Sequence, residues 1–114
     1  MKIAIKFNTQ KTYTPYGIYW PTFSDSLKTH YYVIDSNDGF SGFSVFTEDE
    51  IVILDASLDH YSIVKDGYGK DMIVHNAAYP SEEFFDALVN HDSYDNIEEL
   101  LKNMGNLGLE ILHG

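Results

Sequence analysis

The hydrophobic period of this chain changes near residue 80, and that change limits the folds open to it. Before it, apolar and polar residues alternate, as in Lys2 to Phe7, which is typical of a half-buried strand. After it, apolar residues recur at helical spacing. Strands followed by helices predict an α+β fold. We expect an antiparallel β-sheet of about five to seven short strands, two consecutive C-terminal amphipathic helices packed on one face, and a short final strand.

Turn residues divide the strand region into segments. Asp35 to Gly39 and Asp66 to Asp71 each separate two strand-like runs, and Asp, Asn and Gly tolerate the positive φ angles of tight turns. Both stretches therefore predict hairpins. The unbroken apolar run Ile51 to Leu54 predicts a central strand covered on both faces. The other expected strands are Lys2 to Phe7, Gly17 to Trp20, His30 to Ile34, Phe40 to Phe46, Ser62 to Lys65 and Met72 to His75.

The first predicted helix runs from about Ser81 to Asn90. Ser81 has the position of an N-cap, because two glutamates follow it and acidic residues are favourable in a first helical turn. The expected core face of this helix consists of Phe84, Phe85, Leu88 and Val89.

The second predicted helix begins near Asp95, which with Glu98 has the spacing of a capping box. Its apolar stripe consists of Ile97, Leu100, Leu101 and Met104. Gly105 is a suitable C-terminal stop. Leu107 to Leu112 alternates weakly and is the predicted final strand.

Size and composition favour a single domain spanning residues 1–114. A chain of 114 residues with 44% hydrophobic content can form one core and is short for two. It has no cysteine, so disulfides and thiolate metal sites are excluded. The amino-terminal residues lack the unbroken apolar stretch of a secretory signal, and no segment has the length of a membrane span. A cytoplasmic location is the resulting expectation.

The net charge is the most unusual bulk property. Seven lysines and no arginine stand against 18 acidic residues, which gives a formal charge of −11. The charge is uneven, because residues 1–34 carry +3 and residues 35–114 carry −14. Direct nucleic-acid binding is not expected, since contacts to phosphates require clustered Lys and Arg. We also expect no membrane partner.

Several sequences that resemble functional motifs fail on spacing. The turn from Asp35 has Gly39, Phe40 and Phe46 at the fifth, sixth and twelfth positions, where a calcium loop needs Asp or Asn, Gly and Glu. Gly67 to Lys70 is too short for a phosphate-binding loop and is followed by Asp71. These two stretches are interpreted as hairpin turns.

The histidines give no catalytic or metal motif either. None of them is paired at metal-ligand spacing; they are His30, His60, His75, His91 and His113. A second group contains the residue types of a hydrolytic triad without a nucleophile elbow, namely Asp55, Ser57, Asp59 and His60. We predict no catalytic residue, no cofactor and no metal.

Aromatic residues are concentrated in the first third of the chain: Tyr13, Tyr16, Tyr19, Trp20, Phe23, Tyr31 and Tyr32. Packing within the sheet is the favoured interpretation, because Tyr is a good strand residue. A ligand-stacking or partner-binding surface is the alternative, since Tyr and Trp are enriched at interfaces.

The acidic helical segment is the strongest functional signal. Residues 81–101 contain seven acidic residues and no lysine: Glu82, Glu83, Asp86, Asp92, Asp95, Glu98 and Glu99. Helix-dipole stabilisation and solvation explain several of them but not the missing cations, because like charges on neighbouring turns repel. These seven residues are the predicted partner-binding surface.

The leading hypothesis is an acidic inhibitor that occupies the basic nucleic-acid-binding surface of a nuclease or other nucleic-acid-binding protein. Carboxylates can imitate a phosphate backbone and accept charge-assisted hydrogen bonds from Lys and Arg. The likeness to small phage proteins of the anti-restriction or anti-CRISPR kind is one of size and charge only.

Three alternatives remain open at this point. An immunity protein or antitoxin that neutralises a basic toxin enzyme would use the same electrostatics. A small enzyme or metabolite-binding domain would instead have its pocket near the N-terminal aromatics and His60 or His75. A structural subunit that oligomerises through the aromatic segment is a further possibility.

Overall fold

A computed structural model describes residues 1–21, 28–35 and 42–110, with Tyr94 described by its backbone only. These residues form eight β-strands and two α-helices. The strands are β1 (Lys2–Ile5), β2 (Asn8–Tyr13), β3 (Gly17–Tyr19), β4 (His30–Val33), β5 (Ser44–Thr47), β6 (Ile51–Asp55), β7 (Tyr61–Lys65) and β8 (Asp71–His75). The helices are α1 (Glu82–Val89) and α2 (Tyr94–Asn106), and short 3₁₀ turns lie at Glu48–Glu50 and Asn76–Ala78.

The strands form two antiparallel sheets. The smaller sheet has the order β2-β1-β6, and the larger sheet has the order β5-β4-β3-β8-β7. In the larger sheet Gly17 of β3 lies opposite Tyr32 of β4 on one side and Val74 of β8 on the other. This pairing brings the β7–β8 hairpin beside the aromatic N-terminal strands.

The larger sheet is the middle layer of three. Its residues Ile18, Tyr31 and Val33 pack against Ile3 and Tyr13 of the smaller sheet. Its opposite face carries the helices, in a cluster that includes Met72, Val74, Phe85, Leu88, Leu100 and Met104. Because successive strand residues point to opposite faces, each strand of the middle layer can contribute to both clusters. The α+β class and the two C-terminal helices packed on one sheet face are therefore confirmed.

The helix ends follow the sequence signals in part. The hydroxyl of Ser81 accepts a hydrogen bond from the backbone N–H of Phe84 at 3.1 Å, as predicted for the α1 N-cap. In α2 the predicted Asp95 cap is wrong: Ser93 is the N-cap, and its hydroxyl accepts from the Asp95 N–H. Ser93 takes the cap because its hydroxyl reaches the free N–H of Asp95, so the helix begins before Asp95.

The chain after α2 also differs from the prediction. Gly105 lies inside the helix, which ends at Asn106, and Gly108 adopts the left-handed conformation with φ of 69°. The Leu109 N–H then bonds the Met104 carbonyl and closes the helix. Residues 107–110 are thus a helix-terminating turn and not a strand, while Ile111 and Leu112 of the predicted strand lie outside the described residues.

Among the strands, both predicted hairpins are confirmed, because β4 pairs with β5 and β7 with β8. The interpretation of Ile51 to Leu54 is wrong. It lies at the edge of the smaller sheet, and Ile53 and Leu54 are about half exposed. An apolar run does not reveal how many layers will cover it. The structure also has more strands than expected in the described residues, and they are divided between two sheets. Most of the Asp35 turn lies outside the described residues.

Candidate functional site

The acidic residues of α1 lie on its outer face. Glu82, Glu83 and Asp86 are exposed, whereas Phe85 and Leu88 are buried against the middle sheet. At 3.6 residues per turn the three carboxylates share one side of the helix. The acidic face of α1 therefore points to solvent.

The acidic residues of α2 have the same arrangement. Asp95, Glu98 and Glu99 are exposed on the side opposite the buried Ile97, Leu100 and Met104, and Asp92 is exposed in the connection between the helices. Lys102 falls on the same side, one turn after Glu98 and Glu99. It is the first cation on this surface.

The seven predicted carboxylates make no ion pair with any residue that the structure describes. The ion pairs found in the described ranges lie elsewhere, between Lys28 and Asp49 and between Lys65 and Asp71, the latter at 2.6 Å. We call the seven exposed carboxylates of residues 82–99 the acidic face. Its charges are not neutralised by side chains of the described chain.

The α1 carboxylates act together on a neighbouring phenol. Partial desolvation raises the pKa of Tyr79, and the charges of Glu82, Asp86 and Glu83 raise it further. Three carboxylates thus lie close enough to one hydroxyl to disfavour a further negative charge there. The α1 part of the acidic face is therefore a cluster rather than a set of isolated charges.

A groove of about 240 Å³ shares part of its lining with a compartment that reaches the acidic face of α1. It lies where the ends of β3 and β4 meet the tip of the β7–β8 hairpin. We call it the aromatic groove, and its main lining residues are Tyr19, Trp20, Tyr32, Asp66, Tyr68 and Met72.

Local contacts fix the groove walls. The rings of Tyr19 and Tyr32 stack with centroids 4.6 Å apart. The Trp20 indole N–H donates to the Thr29 hydroxyl at 2.9 Å, which holds the ring at the rim while 41% of the residue stays exposed. Tyr68 stands on the hairpin tip with 80% of its surface exposed. Aromatic surface is therefore available to a partner.

Asp66 is the acidic residue of the aromatic groove. Its Oδ1 accepts hydrogen bonds from the backbone N–H groups of Tyr68 at 2.8 Å and Lys70 at 3.0 Å. An aspartate that bonds amides two and four residues further on stabilises a turn. No described residue donates to the second carboxylate oxygen, Oδ2.

The aromatic groove continues into a smaller compartment of about 140 Å³. Tyr32, Asp66 and Met72 line both, and the second compartment adds Glu82 and Asp86 of the acidic face. Burial raises the pKa of Tyr32, and Tyr19 and the Asp86 charge add to this effect. Lys65 also lines this compartment, but its ammonium is paired with Asp71.

A second site lies at the opposite end of the β7–β8 hairpin. This polar cavity has a volume of about 320 Å³ and carries groups of both charges. Its lining includes Lys2, Asp55, Asp59, His60, Tyr61 and His75. The rings of His60 and His75 lie nearly parallel with centroids 6.4 Å apart.

His75 is the buried titratable group of the polar cavity, with 3% of its surface exposed. Burial, with smaller effects from His60 and the amino terminus, lowers its pKa from 6.5 to about 4. Nδ1 accepts the Ala77 backbone N–H at 3.1 Å. The neutral ring therefore carries its proton on Nε2, and no described residue bonds that atom.

The other residues of this cavity are occupied by local turns. Asp55 accepts from the Ser57 N–H at 2.8 Å, and the Ser57 hydroxyl accepts from the Asp59 N–H at 3.4 Å. No hydrogen bond joins Ser57 to a histidine among the residues that the structure describes. Within the same ranges no three His, Asp or Glu side chains come together as a metal site.

The structure separates the aromatic cluster predicted from the sequence. Tyr13, Tyr16 and Tyr31 are buried in the core, as sheet packing predicts, whereas Trp20 lines the aromatic groove. Phe23 lies outside the described residues. Asp66 and Tyr68 were recognisable only as a hairpin tip, and β3–β8 pairing brings that tip to the aromatic strands.

Comparison with known proteins gives no relative for this chain: it matches no protein-family model, no curated protein and no solved structure. Neither described helix is long and apolar enough to cross a membrane.

Proposed function

We propose that this protein is an acidic inhibitor that docks on the basic surface of a nuclease or other nucleic-acid-binding protein and occupies the place of the nucleic acid. The observation that carries the proposal is the acidic face: seven exposed carboxylates on one helical layer, without an ion-pair partner among the described residues. A surface of this kind is stabilised by cations from outside the chain.

The dimensions of the acidic face suit a short stretch of nucleic acid. Helix α2 has 13 residues and is therefore about 20 Å long, which equals about six phosphates along one DNA strand. Carboxylates one turn apart lie about 5–6 Å from each other at their Cβ atoms. Each can accept a short charge-assisted hydrogen bond from Lys or Arg, as a phosphate does.

The electrostatic field also favours fast and selective association. Unpaired charges of one sign raise the association rate of an oppositely charged partner and repel acidic proteins. Salt screens such attraction over about 8–10 Å at physiological strength. The proposed binding should therefore weaken as salt rises and should compete with DNA or RNA.

The test uses purified nucleases, including a restriction endonuclease and an RNA-guided nuclease, with cleavage of labelled DNA as the readout. The proposal predicts that inhibition by this protein is relieved by added non-substrate DNA and by raised salt. The double variant Glu98→Lys/Glu99→Lys should lose inhibition, whereas Lys102→Glu should strengthen it. Inhibition that is insensitive to salt and to both variants would contradict the proposal.

A matched control separates position from net charge. The double variant Asp59→Lys/Glu110→Lys makes the same change in net charge at the polar cavity, since both residues are exposed there. It should keep most of the inhibition. Equal losses in the two double variants would show that net charge alone matters, and the acidic face would lose its role.

An immunity protein or antitoxin would use the same acidic face, and only its partner would differ. A metabolite-binding domain is the second candidate, favoured by the free Nε2 of His75 in the polar cavity. It predicts that His75→Ala alone abolishes function, whereas the acidic-face proposal predicts graded losses from several charge reversals.

A further inference from the structure

We propose that the aromatic groove receives an arginine side chain of the basic partner, with the guanidinium between the exposed rings and the Asp66 carboxylate. This inference rests on the proposed function, because it names the side chain that the acidic surface would take. It concerns residues outside the seven of the acidic face.

The rings of the groove have the chemistry that a guanidinium needs. Trp20 and Tyr68 line the groove with exposed aromatic surface, and the stacked rings of Tyr19 and Tyr32 belong to the same lining. A planar cation over an aromatic face is attracted by the ring quadrupole, most strongly at Trp. Arginine also stacks flat on such rings, whereas the compact lysine ammonium is more strongly hydrated.

The Asp66 carboxylate lines the same groove as the rings. Two backbone amides hold Oδ1 of Asp66, so the group is oriented before a ligand arrives. Oδ2 receives no hydrogen bond from any described residue and can accept one from a guanidinium N–H. Pre-orientation lowers the entropy lost on binding.

The charges around the groove point to a cation and not to a neutral ring. Asp66 is the charged residue of the aromatic compartment among the described residues, and Glu82 and Asp86 follow in the adjoining one. The ammonium of Lys65 is already neutralised by Asp71 at 2.6 Å. A partner segment with one arginine in the groove could therefore present its next basic residue to α1.

The chain offers a direct reporter for this test. Trp20 is its single tryptophan and lines the groove, so intrinsic fluorescence reports occupancy. The probes are two peptides of equal length and charge, one alternating Gly and Arg and the other alternating Gly and Lys. We expect the arginine peptide to bind about threefold to tenfold more tightly at low salt.

Two variants remove the proposed contacts without removing core residues. Tyr68→Ala deletes an exposed ring, and Asp66→Asn removes the charge while it keeps an acceptor for the turn amides. Either should reduce the preference for arginine to below about twofold. Phe7→Ala, which removes an aromatic residue that is 94% exposed and lies elsewhere, should leave the preference unchanged. Circular dichroism checks that each variant is folded.

The inference is overturned if the wild-type protein binds both peptides equally, or if the preference survives in both groove variants. A third arm separates it from the proposed function. The double variant Glu98→Lys/Glu99→Lys should weaken the binding of both peptides by the same factor. The preference for the arginine peptide should remain. Arginine preference without nuclease inhibition would support the groove and reject the inhibitor, whereas inhibition without preference would support the inhibitor and reject the groove.

Discussion

The two ends of the β7–β8 hairpin carry clefts that differ in chemistry more than in size. Where Tyr61 pairs with His75, the polar cavity combines a lysine, two histidines and acidic groups. Where Lys65 pairs with Asp71, the aromatic groove exposes rings, and the unpaired charges beside it are carboxylates. Three pairs of strand residues separate them, yet one cleft has a lysine among its acidic residues and in the other the unpaired charges are all carboxylates.

This difference suggests a physical basis on which an acidic chain would bind one partner specifically. Net charge acts at long range and favours any basic partner. Rings and an oriented carboxylate act only at contact and discriminate between cations. In the proposed function, the acidic face would supply the first effect and the aromatic groove the second. The polar cavity differs from both, because Lys2 lies among its acidic residues and offsets part of their charge.

The largest expected effect comes from Phe85→Ala. Phe85 is buried, and its ring lies 5.8 Å from that of Tyr32, 5.4 Å from Phe43 and 5.6 Å from Tyr79. Its removal should lower the free energy of unfolding by about 3–5 kcal/mol, through lost burial and a cavity. Urea denaturation measures this loss.

The same variant would sharpen the comparison of the two clefts. Phe85 supports the wall of the aromatic groove and does not line the polar cavity. The preference for arginine peptides should therefore fall in Phe85→Ala while the pH response of His75 persists. Phe7→Ala should change stability by less than about 0.5 kcal/mol as a surface control. If Phe85→Ala lowered the free energy of unfolding by less than about 1 kcal/mol, the packing of Phe85 against its neighbouring rings would contribute little to stability.

The second effect concerns pH and the polar cavity. Because burial lowers the pKa of His75 from 6.5 to about 4, the unfolded chain binds a proton more readily than the folded one. The contribution of His75 to the free energy of unfolding is therefore fully present above about pH 6.5. It decreases as the pH falls toward 4, and the total loss from this residue is about 3 kcal/mol. Urea denaturation across this window measures the slope.

His75→Asn isolates that contribution, because an Asn side-chain oxygen can still accept the Ala77 N–H in place of Nδ1. The wild-type protein should lose about 3 kcal/mol more than the variant between pH 6.5 and 4. His60 and the amino terminus face His75 and remain in both chains. If the free energies of unfolding of the wild-type protein and His75→Asn changed with pH in parallel, the conclusion that folded His75 is buried and neutral would be contradicted.

Much of the fold could be predicted from local signals. The change of period gave the order of strands and helices, and Ser81 identified the start of α1. Local chemistry could not give the division into two sheets. The pairs β1–β6 and β3–β8 join segments about 50 residues apart, and their register depends on which faces become buried. Strand β2 was missed because five of its six residues are polar.

The candidate site divides in the same way. The seven carboxylates lie within 18 residues of sequence, and the exposure of the six that belong to helices follows from helical periodicity. The aromatic groove depends on Tyr19 and Tyr68 meeting in space, which no local pattern indicates. The sequence did hold both halves, as an N-terminal aromatic cluster and as a glycine-rich hairpin tip. Only the β3–β8 register joins them.

The third effect tests close packing beneath the aromatic groove. A Cβ added at Gly17 would lie 2.8 Å from Cδ2 of Tyr32 and 3.0 Å from Cζ of Phe85. Gly17→Ala should therefore cost about 1–3 kcal/mol, because both rings must shift. Gly105→Ala is the matched control, since an added Cβ there meets no atom within 4 Å. It should stabilise α2 by up to about 1 kcal/mol. Equal effects in the two variants would refute the tight contact.

The smallest expected effect tests whether the aromatic groove and the polar cavity respond independently of each other. Ser81→Ala removes the hydroxyl that accepts the Phe84 N–H at the start of α1, and it should cost about 1 kcal/mol in urea denaturation. Ser81→Asp keeps an acceptor at this position and should restore stability.

Because Glu82 and Asp86 border the groove from α1, fraying of this helix in Ser81→Ala should weaken arginine-peptide binding. The pH response of His75 should not change, since α1 does not line the polar cavity. If that response weakens as well, the clefts are coupled through the middle sheet, and the hairpin must be treated as one unit.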